Sequence, residues 1–271
     1  MPTLLCAISH GLYSPWIDIL KDGQEETWLR HPVPSNIEIV HFHSTPVSNF
    51  LYKLEHLHEY LRWSVKHGGR ILRLIDNSIL GALIGYVPSI SKSEYLETRH
   101  PSLHIHFPDL YMTFRWKELS LMKYFLNNTK HDFLLMTTTS SYINLKNLSH
   151  RITLFPSGDL YFGAQPYPDA NFVSGSNRIL SRETVRKVIS SKRHFEPGII
   201  EDVALGRLLK SLGIDPIFIP IINIPDLKTL NDLDEDTFRD NYHFRLKSGL
   251  NSNRNDVEIM KALDLKYGES S

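Results

Sequence analysis

The most constraining stretch of the chain is Phe133-Leu134-Leu135-Met136, an apolar run that passes directly into five small hydroxyl residues, Thr137 to Ser141. A short apolar run that stops at a polar cluster reads as a buried strand with a polar end. In open α/β sheets, ligands bind at the carboxyl ends of strands. Thr138, Thr139 and Ser140 are therefore candidate ligand contacts, and no carboxylate stands among them.

The surrounding pattern alternates strands and helices. Leu4–Ile8 reads as a strand ending at Ser9-His10-Gly11, and Pro15–Trp28 as a helix weakened by Gly23. Ile37–Phe42, Ile71–Ile75, Leu103–Phe107 and Ile217–Ile219 read as further strands. Helices are expected at Ser48–Val65, at Asp109–Asn127 with Asp109 as cap, after a Ser181 cap, and at Glu201–Leu212 with Gly213 closing it. Ile152–Phe162 reads as a hairpin around Pro156–Asp159. After Pro225 the chain turns polar and loses periodicity. The alternation predicts one α/β domain over 1–271, a single mixed central sheet flanked by helices. Within it the chain divides at about residues 140 and 225 into two halves and a C-terminal segment, 226–271.

The totals exclude several classes. Thirty basic residues balance thirty acidic ones, so no global field favours nucleic acid or anionic lipid. One cysteine, Cys6, rules out an internal disulfide framework and reads as a buried small hydrophobe. No apolar run approaches the roughly 20 residues that span a bilayer, so the expectation is a soluble, cytoplasmic protein with no transmembrane segment. Two histidine pairs, His41 with His43 and His104 with His106, alternate along strands and are expected to face solvent. No histidine pairs with cysteine at a metal-ligand spacing.

Four segments, in this order, resemble the beta-1,3-glycosyltransferases, the galactosyltransferase and Fringe-like families with a GT-A fold. The first is Phe107 through Lys117, similar to the family's Asp-x-Tyr step before a Thr-Leu-Lys step. The second, Asp132 through Asn144, aligns with the segment that carries the family's acidic triplet. The third runs from Tyr167-Pro168 through Gly175 to Leu180-Ser181. The fourth is Glu201-Asp202-Val203, with Gly206 four residues after Asp202. The resemblance covers residues from about 105 to 215. It departs from the family where Thr138, Thr139 and Ser140 replace the three acids.

The resemblance implies an inverting sugar transfer from a nucleotide-diphosphate sugar, uridine diphosphate by expectation, to a sugar hydroxyl of a glycan acceptor. It places the base at Asp202, in the first turn of its helix, where the dipole favours the charged form, with Glu201 holding a neighbouring loop. On their own, two acids at a helix start simply compensate the dipole. Neutral hydroxyls cannot replace carboxylates as tight Mg²⁺ or Mn²⁺ ligands. The expectation is therefore no metal and no cofactor, with His243, Arg245 and Lys247 on one strand face holding the diphosphate. Those three residues fit a solvated basic edge equally well. Ser174, Gly175 and Ser176 are expected near donor sugar and acceptor, though an ordinary turn has the same composition. Ser9 and His10 stand where GT-A enzymes contact the nucleotide. Asp76, after a strand, is either a nucleoside contact or a turn former. The alternative reading is a catalytically degenerate protein on the same scaffold that binds carbohydrate or a partner. The oligomeric state is open.

Overall fold

Leu4–Ser9 forms strand β1, every residue of it buried. Leu4, Cys6 and Ile8 enter one hydrophobic core and Leu5 and Ala7 another, so helices cover the sheet on both faces. The computed structural model describes residues 1–48, 51, 53, 83, 86–94, 97–110, 113–196, 199–247 and 254–268. The helix expected at Ser48–Val65 falls almost wholly outside them, as do the Ile71–Ile75 strand and Asp76.

β1 pairs in parallel with β2 (Ile37–Thr45) and with β5 (Phe133–Thr138). β4 (Ser102–Pro108) extends the parallel set beyond β2, and β3 (Ile90–Lys92) closes that side antiparallel. Beyond β5 come β8 (Asn177–Ser181), β7 (Tyr161–Ala164) and β9 (Ile217–Ile219), giving, among the described residues, an eight-stranded mixed sheet ordered β3-β4-β2-β1-β5-β8-β7-β9. A two-stranded antiparallel ribbon, β6 (Ser141–Ile143) with β10 (His243–Arg245), continues from the end of β5. The α/β class and the mixed sheet are as the sequence predicts.

Helix α1 (Trp16–Asp18) passes straight into a π-helical turn, Ile19–Gln24. The regular helix expected there is broken near Gly23, which packs against Met260 and Val257. The other described helices are α2 (Phe114–Asn128), α3 (Leu145–Ile152), α4 (Arg182–Ser190), α5 (Glu201–Ser211), α6 (Leu227–Asn231), α7 (Glu235–Asp240) and α8 (Asp256–Tyr267). None of the described helices is long and apolar enough to cross a membrane.

Three expectations are corrected. Asp109 does not cap α2, which begins five residues later; its carboxylate is buried in an ion pair with Lys117. Residues 152–162 form no hairpin: α3 ends at Ile152, and β7 pairs with β8 instead. Among the described residues, the polar stretch after Pro225 contains helices, because Asp226 and Asp234 cap α6 and α7 by accepting from the backbone N–H of Thr229 and Thr237. α8 then sets Ile259, Met260 and Leu263 into the core.

Topology positions the site. The chain lays β2 and β4 on one side of β1, then crosses back to place β5 on the other. Such a reversal opens a crevice at the carboxyl ends of the two central strands. Ser9 stands opposite Thr138 there. β8 runs antiparallel to β5, so its beginning lies at the same edge, Asn177 opposite Thr137. Arg245 on β10 stands opposite Ser141. Register alone thus gathers residues distant in sequence along one polar edge.

Candidate active site

The hydroxyl run at the end of β5 is tied down rather than free. Thr137 donates to the Ser176 carbonyl at 2.7 Å and Ser141 to the same oxygen at 3.3 Å. Gln24 donates to the carbonyls of Thr138 and Ser141 at 3.3 and 3.1 Å. Thr139 and Ser140 are buried and Thr138 is half-buried. Ser140 Oγ accepts from Arg254 Nη2 at 2.5 Å. That guanidinium is clamped in turn by the buried Asp256 carboxylate at the start of α8 and lies 4.7 Å from the centre of the Trp16 ring. Arg254 and Asp256 carry no sign of this role in the sequence, because Ser140 and Trp16 lie more than a hundred residues away and only the fold joins them.

β10 delivers the cations unevenly. Arg245 is half-buried and Lys247 exposed. Burial lowers the pKa of both, and the mutual repulsion among Arg245, Lys247 and Arg254 lowers it further, with Asp202 and Asp256 opposing. His243 is different. Its imidazole is buried and hydrogen-bonded to Ser141 Oγ at 3.0 Å, and burial with the neighbouring Arg245 pushes its pKa down to about 3. It is therefore neutral at ordinary pH and adds no positive charge beside Arg245.

The acids sit across from these cations. α5 opens with Glu201 and Asp202, and the Ser174-Gly175-Ser176 turn lies against them. A Cβ at Gly175 would meet only Glu201 Oε1, at 3.5 Å, so the space over the turn is otherwise open. The two flanking serines bond each other at 2.9 Å. Gly206, one turn further along α5, is required: a Cβ there would stand 2.5 Å from Phe172 Cβ. This close approach seats the helix on the Phe172 loop and carries the acids to the Gly175 turn.

Asp202 is half-buried, accepts from the Val203 N–H at 2.8 Å and has the Gly175 amide close enough to lower its pKa. Burial raises its pKa, while Arg178 and the two amides oppose the rise. Asp202 also lies within electrostatic reach of Arg245. Glu201 is pushed up to about 8, first by burial and then by Glu118 and Asp202. Beneath both lies Arg178 of β8, fully buried and ion-paired with Glu118 of α2. Neither residue is among the site residues expected from sequence.

At the other end of the edge stands a row of imidazoles. Ring centres are separated by 6.4 Å from His100 to His41, 5.8 Å to His10, 5.3 Å to His43, 5.2 Å to His104 and 4.5 Å to His106. Of the two pairs expected to face solvent, His41, His43 and His104 are buried and only His106 is exposed. The expectation fails because helices cover both sheet faces, so alternation does not point to solvent. Ser9 and His10 are buried beside this row; burial, His41 and His43 push His10 down to about 3. Among the described residues no three His, Cys, Asp or Glu side chains converge to hold a metal ion.

The sequence matches no protein-family description, and no curated protein is significantly similar to it. Solved structures with a similar chain path include the glycosyltransferase GlyE of Streptococcus pneumoniae TIGR4, with 9% identity and a TM-score of 0.47 over 98% of this chain and 61% of that one. A glycosyltransferase involved in glycosylation of the major capsid of PBCV-1 gives 10% identity and a TM-score of 0.43 over 97% of this chain and 100% of that one. A 4-diphosphocytidyl-2C-methyl-D-erythritolsynthase from Anaerococcus prevotii DSM 20548 gives 8% identity and a TM-score of 0.45, covering 98% and 96%. The chain spans less than two thirds of the length of GlyE. At these levels the likenesses assign neither family nor activity.

Proposed function

We propose that the chain is a glycosyltransferase of GT-A type that moves a hexose from a nucleotide-diphosphate sugar, uridine diphosphate as the nucleotide, to a glycan hydroxyl with inversion and without a metal ion. The observation that carries the reading is that Asp202 lies within electrostatic reach of Arg245 at the polar edge where β5 ends and β8 begins. In the proposed step, Asp202 takes the acceptor proton as the acceptor oxygen bonds to the anomeric carbon. The bond from that carbon to the diphosphate breaks, and its electron pair leaves with the diphosphate. Arg245 and Lys247 absorb the departing charge, Arg245 through paired hydrogen bonds and Lys247 as a point charge. Thr138 and the open space over Gly175 flank the donor sugar, and Ser9 and His10 border the nucleotide.

The donor set supports the metal-free form. The side chains at the end of β5 are neutral hydroxyls, Ser140 is already engaged by Arg254, and the exposed Lys247 nearby is positive. A divalent cation seeks carboxylate oxygens and is repelled by such a site. Calorimetric titration with uridine diphosphate in the presence of EDTA tests this directly. Binding that is unchanged by EDTA, followed by release of uridine diphosphate from a nucleotide sugar, is the expected outcome. Binding that appears only with added Mn²⁺ refutes the metal-free form. Binding of sugars without any turnover would favour a degenerate binding protein on the same scaffold.

A further inference from the structure

Arg178 lies outside every role assigned so far, yet its surroundings are unusual. It is 0% exposed on β8, and its Nη2 is ion-paired with Glu118 Oε1, itself 2% exposed as a residue. Among the described residues, Arg178 Nε and Nη1 and Glu118 Oε2 have no hydrogen-bond partner. Leaving donors of a buried guanidinium without partners is costly. A charge kept under that penalty is a candidate for something other than stability.

The groups around it are three carboxyls and a phenol. Glu118 comes from α2, Glu201 and Asp202 from the start of α5, and Tyr161 from β7. Arg245 of β10 is also within electrostatic reach of Asp202. One fully buried cation thus lies within electrostatic reach of three acids, and the strand that carries Arg178 begins immediately after the Gly175 turn that packs against Glu201.

We propose that Arg178, locked in place by Glu118, is the positioning residue for Asp202: a fixed, buried counter-charge on β8 that orients the carboxylate at the polar edge. The proposal rests on the reading of Asp202 as the reacting acid. Two features make Arg178 suited to it. The guanidinium stays charged at any working pH. The Glu118 clamp also stops it from swinging out to pair fully with Asp202, which would block proton uptake. Burial raises the pKa of all three acids, and Arg178 opposes the rise in each of them.

The test needs no substrate. With ¹³C-carboxyl-labelled aspartate, the Asp202 signal is assigned by its loss in Asp202→Asn, and its titration is followed in Arg178→Gln, Glu118→Gln and Arg178→Lys. An opposite charge lowers a carboxyl pKa by about 1–3 units. Arg178→Gln is therefore expected to raise the Asp202 midpoint by at least about one unit. Glu118→Gln, which removes the competing anion, is expected to lower it, and Arg178→Lys to restore the wild-type value. Opposite shifts from the two sides of one ion pair are not what loosened packing produces, since that moves both variants the same way. Midpoints that stay put, or move together, overturn the inference. If Arg178→Gln does not fold, Glu118→Gln and Arg178→Lys decide it. A failure here is distinct from a failure of the Asp202 reading, which turnover of Asp202→Asn decides by itself.

Discussion

Two clusters of titratable side chains share the polar edge of one sheet, and they are kept in opposite states. Where β5 ends and β8 begins the groups are charged and matched: Arg178 with Glu118, Arg254 with Asp256, Asp202 within electrostatic reach of Arg245. At the ends of β1, β2 and β4 they are imidazoles packed 4.5–6.4 Å apart, among which burial pushes His10 down to about 3 and His43 to about 4. The strands are alike; the difference lies in what reaches over them. α5, β10 and the start of α8 carry acids and arginines to the first cluster, whereas the second offers mostly further histidines, with the carboxylates of Glu25, 3.4 Å from His41, and of Asp109, within electrostatic reach of His43. A sheet edge supplies position, and its covering elements decide whether that position holds charge.

The largest expected effect breaks the charged end. Asp202→Asn removes the proton acceptor while keeping size and the amide contacts. A positioned base contributes roughly 10²–10⁴-fold, so turnover of a nucleotide sugar should fall by about that factor. Affinity for uridine diphosphate should hold within about threefold, because at most about half a kcal/mol of binding is at stake. Steady-state rates and calorimetry on the same variant check both halves. Next in size, Arg245→Met keeps the stem and loses the charge. A hydrogen bond to a charged group is worth about 1.5–3 kcal/mol, so uridine diphosphate should bind roughly ten- to a hundredfold more weakly. The equivalent loss at the neutral His243, in His243→Gln, should be small. Equal losses would mean that charge is not what separates the two residues.

Much of the charged end is legible in the sequence, and the reason is local. The Phe133–Met136 strand, the Ile217–Ile219 strand and the Glu201 helix follow from short apolar runs, an acidic first turn and a closing glycine at φ +75°, all features that the neighbouring residues determine. What the sequence hides depends on competing signals or on partners far away. α3 has its own marks, an Asn144 cap that accepts from the Asn147 N–H and Leu145, Leu148 and Ile152 on one face. The turn residues at 156–159 outweigh them and suggest a hairpin. The acids after Pro225 resemble a polar tail because capping and solvation use the same residue types. Arg178, Glu118 and Arg254 pass unnoticed because a lone charge in a sequence carries no mark of the group that will meet it.

Two glycines near α5 sharpen the comparison from within the charged end. Gly206→Ala places a methyl 2.5 Å from Phe172 Cβ, and overpacking of this kind costs typically about 1–3 kcal/mol. A drop in urea midpoint is expected, with turnover also reduced because α5 presents Asp202. Gly175→Ala meets only an ordinary contact with Glu201 Oε1 at 3.5 Å. Its stability should stay within about 0.5 kcal/mol of the parent, as for most substitutions in open space. If a substrate lies over the turn, turnover should still fall. A Gly175→Ala enzyme that is stable and fully active would remove that turn from the site.

The smallest effect tests the opposition of the two clusters through pH. His10 and His43 protonate near 6.5 when unfolded, but only near about 3 and about 4 when folded. Between those limits the unfolded chain binds more protons. Their contribution is therefore whole above about pH 6.5 and is lost as pH falls toward 4. Glu201 runs the other way: it titrates near 4.5 when unfolded and near about 8 when folded. Its contribution is whole below about pH 4.5 and is lost as pH rises through 8. Each group changes the slope of stability by at most about 1.4 kcal/mol per pH unit. Urea midpoints measured from pH 4 to 9 should then fall on both sides of neutrality. His43→Gln should flatten only the acid side and Glu201→Gln only the alkaline side. A Glu201→Gln protein whose acid side flattens instead would mean that the carboxyls, and not the imidazoles, govern the loss at low pH, and the contrast between the two ends of the sheet edge would not hold.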